Sequence, residues 1–322
     1  MTTVSKVKLG VLLPTRGLLL ADPAPGDAAR VLDLAGMVEE GGLDSVWVGD
    51  SLTAKPRLEP LSTLAAVAAR THRVRLGTAV LLAALRHPVL LAQTCATVDV
   101  ISQGRLVIAA GVGGAFNEAQ VQEWEAAGVD PKGRASRLEE LVEIIKGLGG
   151  GEPVDYSGKH FELNQVKMRP HPAQKGGVPF LLACHWRAGR PAQFQRAARL
   201  ADGLISISDT PAEYGQLVRH VRGLAAELGR DPQSFETTMY LTVNVDPNIA
   251  KAEADAAEFL TGYYGADIWG DRWGPFGGPE RVSQRVGEYV EAGAQTVIVR
   301  FASLEPQKQL DMFLSHVAPD WM

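Results

Sequence analysis

The chain has 322 residues, 46% hydrophobic and 21% charged, with 37 acidic against 32 basic side chains and a formal net charge of −5. This is ordinary globular composition, and no basic block or basic face with interleaved aromatics suits nucleic acid. The N-terminal MTTVSKVKLGVLLP lacks the apolar core and cleavage site of a secretory signal, and the apolar run 78–85 is too short to cross a bilayer before Arg86, His87 and Pro88 interrupt it. Cys95 and Cys184 suit buried thiols in a reducing cytoplasm better than a disulfide framework. The seven histidines are scattered, without HExxH or zinc-type Cys/His spacing, so no metal is expected.

Residues 6–13 read as a first strand ending at Pro14. A loop through Pro23, Pro25 and Gly26 leads to Asp27, a candidate helix cap. Val31, Leu34, Ala35 and Val38 then fall on one helical face, which Gly41-Gly42 ends. SVWVG at 45–49 is a second strand with Asp50 at its C-terminal end. A helix lies within 56–70, with Leu61, Leu64, Ala65 and Ala68 on one face. Residues 74–80 form a third strand, Pro88 opens a helix running to about Ser102, and 105–110 form a fourth strand ending in Gly111-Val112-Gly113-Gly114.

The alternation then breaks. Residues 115–132 read as a loop with a short helix, and Leu138, Leu141, Val142, Ile145 and Leu148 make a helical stripe. Residues 155–172 read as a hairpin turning at Ser157-Gly158. Strands follow at 178–183, 202–206, 237–245 and 296–301, with helices at 191–200, 211–228, 249–260, 279–293 and in the final segment. The stretch 262–279 is rich in Gly and aromatics and has no period.

Eight strands, each followed by a helix, predict an α/β protein, a (β/α)8 TIM barrel spanning 1–322 as one domain, with insertions after strands 4, 5 and 7. A doubly wound sheet is the alternative. Against it, GVGGAF at 111–116 is not a dinucleotide fingerprint and follows the fourth strand rather than the first. Barrels place their sites at the C-terminal strand ends. Asp50 could orient a ring or take a proton there, or simply cap a helix. The strand end Thr78-Ala79-Val80 offers small side chains to a ligand, or ordinary packing. Gly111 and Gly113 would let the backbone approach a ligand, and Asn117 and Glu118 could bond a polar ring edge. Arg187 and Arg190, after Cys184, suit a phosphate at a helix N-terminus. Tyr263, Tyr264, Trp269, Trp273 and Phe276 suit a lid over a planar ligand, or a satellite cluster or subunit contact. Asp50 and Glu118 as a glycosidase pair remain a further alternative.

These residues carry a resemblance to the bacterial luciferase-like superfamily of flavin- and deazaflavin-dependent oxidoreductases. Its landmarks are KLGVLLP at 8–14, GLDSVWVGD at 42–50 and RVRLGTAVLLAALRHPVLLAQTCATVDVISQGRLVIAAGVG at 73–113. YSGKHFEL at 156–163, RAARLADG at 196–203 and EYVEAGAQTVIVRF at 288–301 follow in the family's order. The resemblance implies a bulge with a cis non-proline peptide at Ala79-Val80 behind a flavin ring, and Asp50 facing the reactive side of the cofactor. It implies ring and tail contacts from 111–118 and phosphate contacts after strands five and six. Three departures stand out. Ser51 replaces the histidine base of relatives that oxidise sugar phosphates. ACHWRAGRP replaces a Gly-Gly turn, leaving Arg187 and Arg190 as possible phosphate ligands. Gly-Val-Gly replaces the Asn-Val-Val-Thr type of FMN monooxygenases. The expectation is a coenzyme F420-dependent oxidoreductase acting on a small organic substrate, with Asp50 and Glu118 near the reacting carbon, as a cytoplasmic homodimer. An FMN-dependent monooxygenase using O2 and a non-catalytic flavin-binding protein are the alternatives.

Overall fold

The barrel closes through a continuous ring of parallel strand pairs in this computed structural model, which describes residues 7–22, 24–266 and 270–322. In chain order the elements are β1 (Lys8–Leu12), α1 (Gly17–Ala21), α2 (Ala29–Glu40), β2 (Ser45–Val48), α3 (Pro60–Arg70), β3 (Arg75–Leu81), α4 (Pro88–Ile101) and β4 (Leu106–Ala110). Next come α5 (Glu118–Ala126), α6 (Arg134–Gly149), β5 (Val154–Ser157), β6 (Glu162–Val166), β7 (Phe180–Ala183), α7 (Pro191–Leu200), β8 (Gly203–Ile207) and α8 (Pro211–Glu227). The chain ends with β9 (Glu236–Val245), α9 (Ile249–Tyr264), β10 (Phe276–Gly277), α10 (Pro279–Glu291), β11 (Thr296–Phe301) and α11 (Pro306–His316). Strands β1-β2-β3-β4-β7-β8-β9-β11 pair in that order and β11 returns to β1.

This is the predicted (β/α)8 architecture. The material after β4 holds α5, α6 and the antiparallel hairpin β5–β6, and that after β9 holds α9 and β10, whose Phe276 pairs with Asn244. After β7 the loop 184–190 carries a single 3-10 turn. Two elements depart from the expected boundaries. The loop after β1 contains α1, which buries only Leu18. Helix α9 runs on to Tyr264, because Gly262 is tolerated within it and Gly265, at φ +78, supplies the left-handed C-terminal residue. Pro23 and Trp269, both named above, lie outside the described residues, as do residues 1–6.

Most barrel strands are buried on both faces, which is why they read as short apolar runs. Leu12, Trp47, Val107, Leu181, Tyr240 and Ile298 fill the interior. Trp47 occupies the space that side chains on neighbouring strands would need: a Cβ on Gly77 would collide with its ring, and one on Gly10 would stand 2.7 Å from its Nε1. Gly77→Ala is therefore expected to cost about 1–3 kcal/mol through overpacking, read as a lower urea midpoint; a neutral result would mean that Trp47 can move. At the opposite end from the strand C-termini, Arg75 of β3 makes a bidentate pair with Glu236 of β9, at 2.9 and 3.2 Å. Both cysteines are buried free thiols. Among the described residues no helix is long and apolar enough to cross a membrane.

Candidate active site at the mouth of the barrel

A cavity of about 220 Å³ opens among the C-terminal ends of β2, β3, β7 and β8, beside Tyr240 in the middle of β9. Its apolar wall is Ala79 and Val80 of β3, Ala183 of β7 and Ile205 and Ile207 of β8. The Ala79-Val80 peptide is cis, and the β3–β4 pairing shifts register between Ala79 and Leu81, where the resemblance implied a bulge. Gly111 follows β4 behind this wall. A Cβ there would stand 3.0 Å from Val80 Cγ2 and 3.7 Å from Ala183 Cβ, so glycine keeps these two strand ends close. Thr78 lies below the cavity, its hydroxyl bonded to both backbone groups of Ala109.

Asp50 lines the cavity as expected, but its oxygens are engaged. Its side chain is 3% exposed, accepts the Leu82 N–H at 2.9 Å and pairs with both Arg86 Nη atoms at 2.5 and 3.2 Å. Burial pulls the Arg86 guanidinium down, but the hydrogen bond and charge of Asp50, with Glu59 behind, raise it above its ordinary value. The geometry gives Asp50 a positioning role: it holds the turn that leaves β3.

Glu118 and Asn117 stand elsewhere than expected. Both are exposed. Asn117 caps α5 by accepting the Gln120 N–H, and Glu118 accepts from Gln122. One helical turn further on, Gln120 and Glu123 line the cavity instead. Glu123 is 3% exposed and accepts the Ser51 hydroxyl at 2.6 Å with the N–H groups of Thr53 and Ala54. The signal was Trp124 beside it: an apolar side chain on a short polar helix marks the inward face. Gly113, at φ +73, packs under Trp124, and Gly114 reaches the cavity.

The loop after β7 divides differently from its sequence reading. Cys184 is buried under it, its thiol donating to Gln193 O at 3.4 Å, and burial pushes it up to about 12, so no thiolate forms. Arg187 and Arg190 are exposed and do not line the cavity. The reason is buried Asp209, which accepts the N–H groups of Trp186 and Arg187 and the Ser206 hydroxyl, pinning the backbone of this loop to the segment after β8. His185 is what reaches the cavity. Its Nδ1 lies 3.3 Å from Ser206 Oγ and 3.4 Å from the Ile207 N. Burial, helped by Arg187 and opposed by Asp209, lowers the imidazole below its ordinary value, so it is neutral at pH 7.

The aromatic segment is also redistributed. Trp269 lies outside the described residues. Trp273 is buried against Tyr264, with ring centroids 5.5 Å apart, and Phe276 is part of β10; neither lines the cavity, whereas Tyr263 and Tyr264 at the end of α9 do, beside Tyr240. Lys55 and Arg57, from the loop after β2, complete the lining. Sequence reading places Tyr263 and Tyr264 among the lid aromatics, and missed Tyr240, Lys55 and Arg57. Among the described residues no cluster of His, Cys, Asp and Glu could hold a metal ion.

Residues 7–273 match the family described as luciferase-like monooxygenase. An F420-dependent glucose-6-phosphate dehydrogenase of Nocardia farcinica is 28% identical, over 90% of this chain and 93% of that protein. Its counterpart in Kineococcus radiotolerans is 30% identical, over 92% and 93%. Among solved structures, monooxygenase RslO1 from Streptomyces bottropensis has a TM-score of 0.82 at 24% identity, over 98% of this chain and 100% of that one. An F420-dependent secondary alcohol dehydrogenase in complex with an F420–acetone adduct has a TM-score of 0.78 at 20% identity, over 97% and 98%. These two likenesses establish the fold.

Proposed function

Because the chain belongs to the luciferase-like monooxygenase family, we propose that it is a coenzyme F420-dependent oxidoreductase that moves hydride between the deazaflavin and an organic substrate. The observation that carries this reading is similarity along nine-tenths of the chain to F420-dependent dehydrogenases. The cavity fits a planar ring. Ala79, Val80, Ala183 and Ile205 make an apolar wall, and Gly111 keeps a Cβ out of the space beside it. Those residues would hold the ring, and the polar lining would face the substrate. When bound, the deazaflavin supplies the hydride acceptor or donor; positioning and proton handling are left to the protein.

Oxidation of an alcohol also releases a proton. Ser51 is no base: its hydroxyl donates to Glu123 and accepts the Lys55 N–H. This argues against sugar-phosphate oxidation by the route of relatives with histidine at that position. His185 is the imidazole that lines the cavity, neutral and anchored through Nδ1. In this reading the tautomer whose Nδ1–H donates to Ser206 Oγ takes the proton at Nε2 and returns it there.

The family description supports an FMN-dependent monooxygenase as the second reading. Fluorescence titration separates the two. Saturable binding of F420, tighter than that of FMN, is the expected result. Tight binding of FMN alone would replace the F420 reading with the monooxygenase one.

A further inference from the structure

We propose that Lys55 and Arg57, backed by Arg16 and Arg300, form a receptor for an oxyanion carried by the substrate, a carboxylate or phosphate group. The substrate assignment rests on the oxidoreductase reading above; the anion site rests on the geometry alone.

Four cations converge on two neighbouring phenol rings, Tyr263 and Tyr264, whose centroids are 4.9 Å apart. Arg16, Arg57 and Arg300 hold their guanidinium carbons 5.2, 5.7 and 4.9 Å from the Tyr263 ring, and Lys55 Nζ lies 4.5 Å from the Tyr264 ring. Among the described residues none of the four makes a salt bridge with a carboxylate. The cavity's own acids do not neutralise them. Asp50 is paired with Arg86, and Glu123 is held by Ser51 and two backbone N–H groups. Like charges gathered in a partly desolvated site repel one another, and a bound anion is what would relieve them.

Hydrogen-bond accounting divides the four by role. Arg16 donates to Tyr263 O and Pro56 O, and Arg300 donates to the Tyr264 and Thr242 hydroxyls from beneath the rings. Both are held by the protein and do not line the cavity. Lys55 and Arg57 do line it. Arg57 donates through Nε to Lys55 O and through one Nη to the Tyr263 hydroxyl, while its second Nη has no acceptor among the described residues. Among the described residues Lys55 Nζ meets the Tyr264 face and no hydrogen-bond acceptor. One ammonium and one guanidinium N–H edge are therefore available to an oxyanion. Burial depresses the Lys55 ammonium, Tyr263 opposes this as a counter-charge, and Arg57, Arg16 and Arg300 add to the depression.

Among the described residues the internal candidate for a counter-charge is Tyr263. Burial opposes its ionisation, but Arg57, Arg300 and Arg16 pull it below its ordinary value. The test must separate a tyrosinate from an external anion, and a substrate anion from a cofactor one. Inorganic phosphate is titrated calorimetrically into the cofactor-free protein at constant ionic strength. Saturable binding is expected, weakened about tenfold or more in Lys55→Met and in Arg57→Gln and unchanged in Arg190→Gln, with thermal unfolding of each variant checked in parallel. Phosphate should also bind the F420-loaded protein, and F420 affinity should survive Lys55→Met. Phosphate binding that is absent, or indifferent to both variants, overturns the receptor. So does a tyrosinate absorbance at neutral pH that Tyr263→Phe abolishes. Competition between phosphate and F420, with both weakened by Lys55→Met, assigns the anion to the cofactor and overturns the substrate assignment. Because the phosphate titration needs no F420, its failure and a failure to bind F420 are separate results.

Discussion

Replacing Arg86 with methionine is expected to destabilise the protein by about 3–5 kcal/mol, the cost of leaving a buried carboxylate without its partner. Asp50 is nearly inaccessible, at 3%, and its other hydrogen-bond donor is the Leu82 N–H. Methionine preserves most of the Arg86 stem but offers the carboxylate nothing. The effect also extends to the site. Asp50 ties the end of β2 to the turn leaving β3, immediately after Ala79 and Val80, so the cavity wall should loosen and F420 binding should weaken with stability. The pair Asp50→Asn/Arg86→Met removes the charge while keeping an oxygen for Leu82 N–H, and should recover a large part of the loss in a double-mutant cycle. Urea denaturation at neutral pH reads all four proteins. A loss below about 1 kcal/mol in Arg86→Met would place the pair among ordinary solvent-screened ion pairs.

The barrel was legible because parallel strands covered on both faces leave a distinctive trace. SVWV, LVIAA and FLLA are too short and too apolar for amphipathic helices, and Gly or Pro bounds them. The same trace located Ala79-Val80 and Gly111 at strand ends, since those positions follow directly from where a strand stops. What failed was phase and closure. Asn117 and Glu118 follow the glycine-rich strand end in sequence, but one turn of α5 carries them outward and brings Gln120 and Glu123 to the cavity. The arginines at 187 and 190 looked like phosphate ligands until Asp209, from a separate segment, fixed the loop backbone. Tyr263 and Tyr264 read as lid aromatics in an irregular stretch, because Gly262 hides the last turn of α9. Arg300 is itself a signal, because it sits within TVIVRF, a strand otherwise without charge. A buried guanidinium in such a run requires partners, and here they are Tyr264, Thr242 and the neighbouring rings. Arg16, Lys55 and Arg57 come from two different loops, and only barrel closure brings them to α9.

Filling the apolar wall separates the fold from the function placed on it. Ala183→Trp is expected to weaken F420 binding by at least about 100-fold, roughly 2.7 kcal/mol, with the barrel intact. Ala183 ends β7 in register with Ile205, and its Cβ borders the gap that Gly111 leaves open beside Val80. An indole from this position enters a cavity of about 220 Å³, against the wall where the ring is proposed to lie. It projects into open space rather than into packed core, so stability should change by about 0.5–1 kcal/mol at most. Arg187→Gln and Arg190→Gln supply the contrast. Both side chains are exposed outside the cavity, so their removal should change F420 affinity less than about threefold. If the two arginine variants lose F420 and Ala183→Trp retains it, the cofactor lies across the outer face of the β7–α7 loop, and the Ala79-Val80 wall belongs to the substrate.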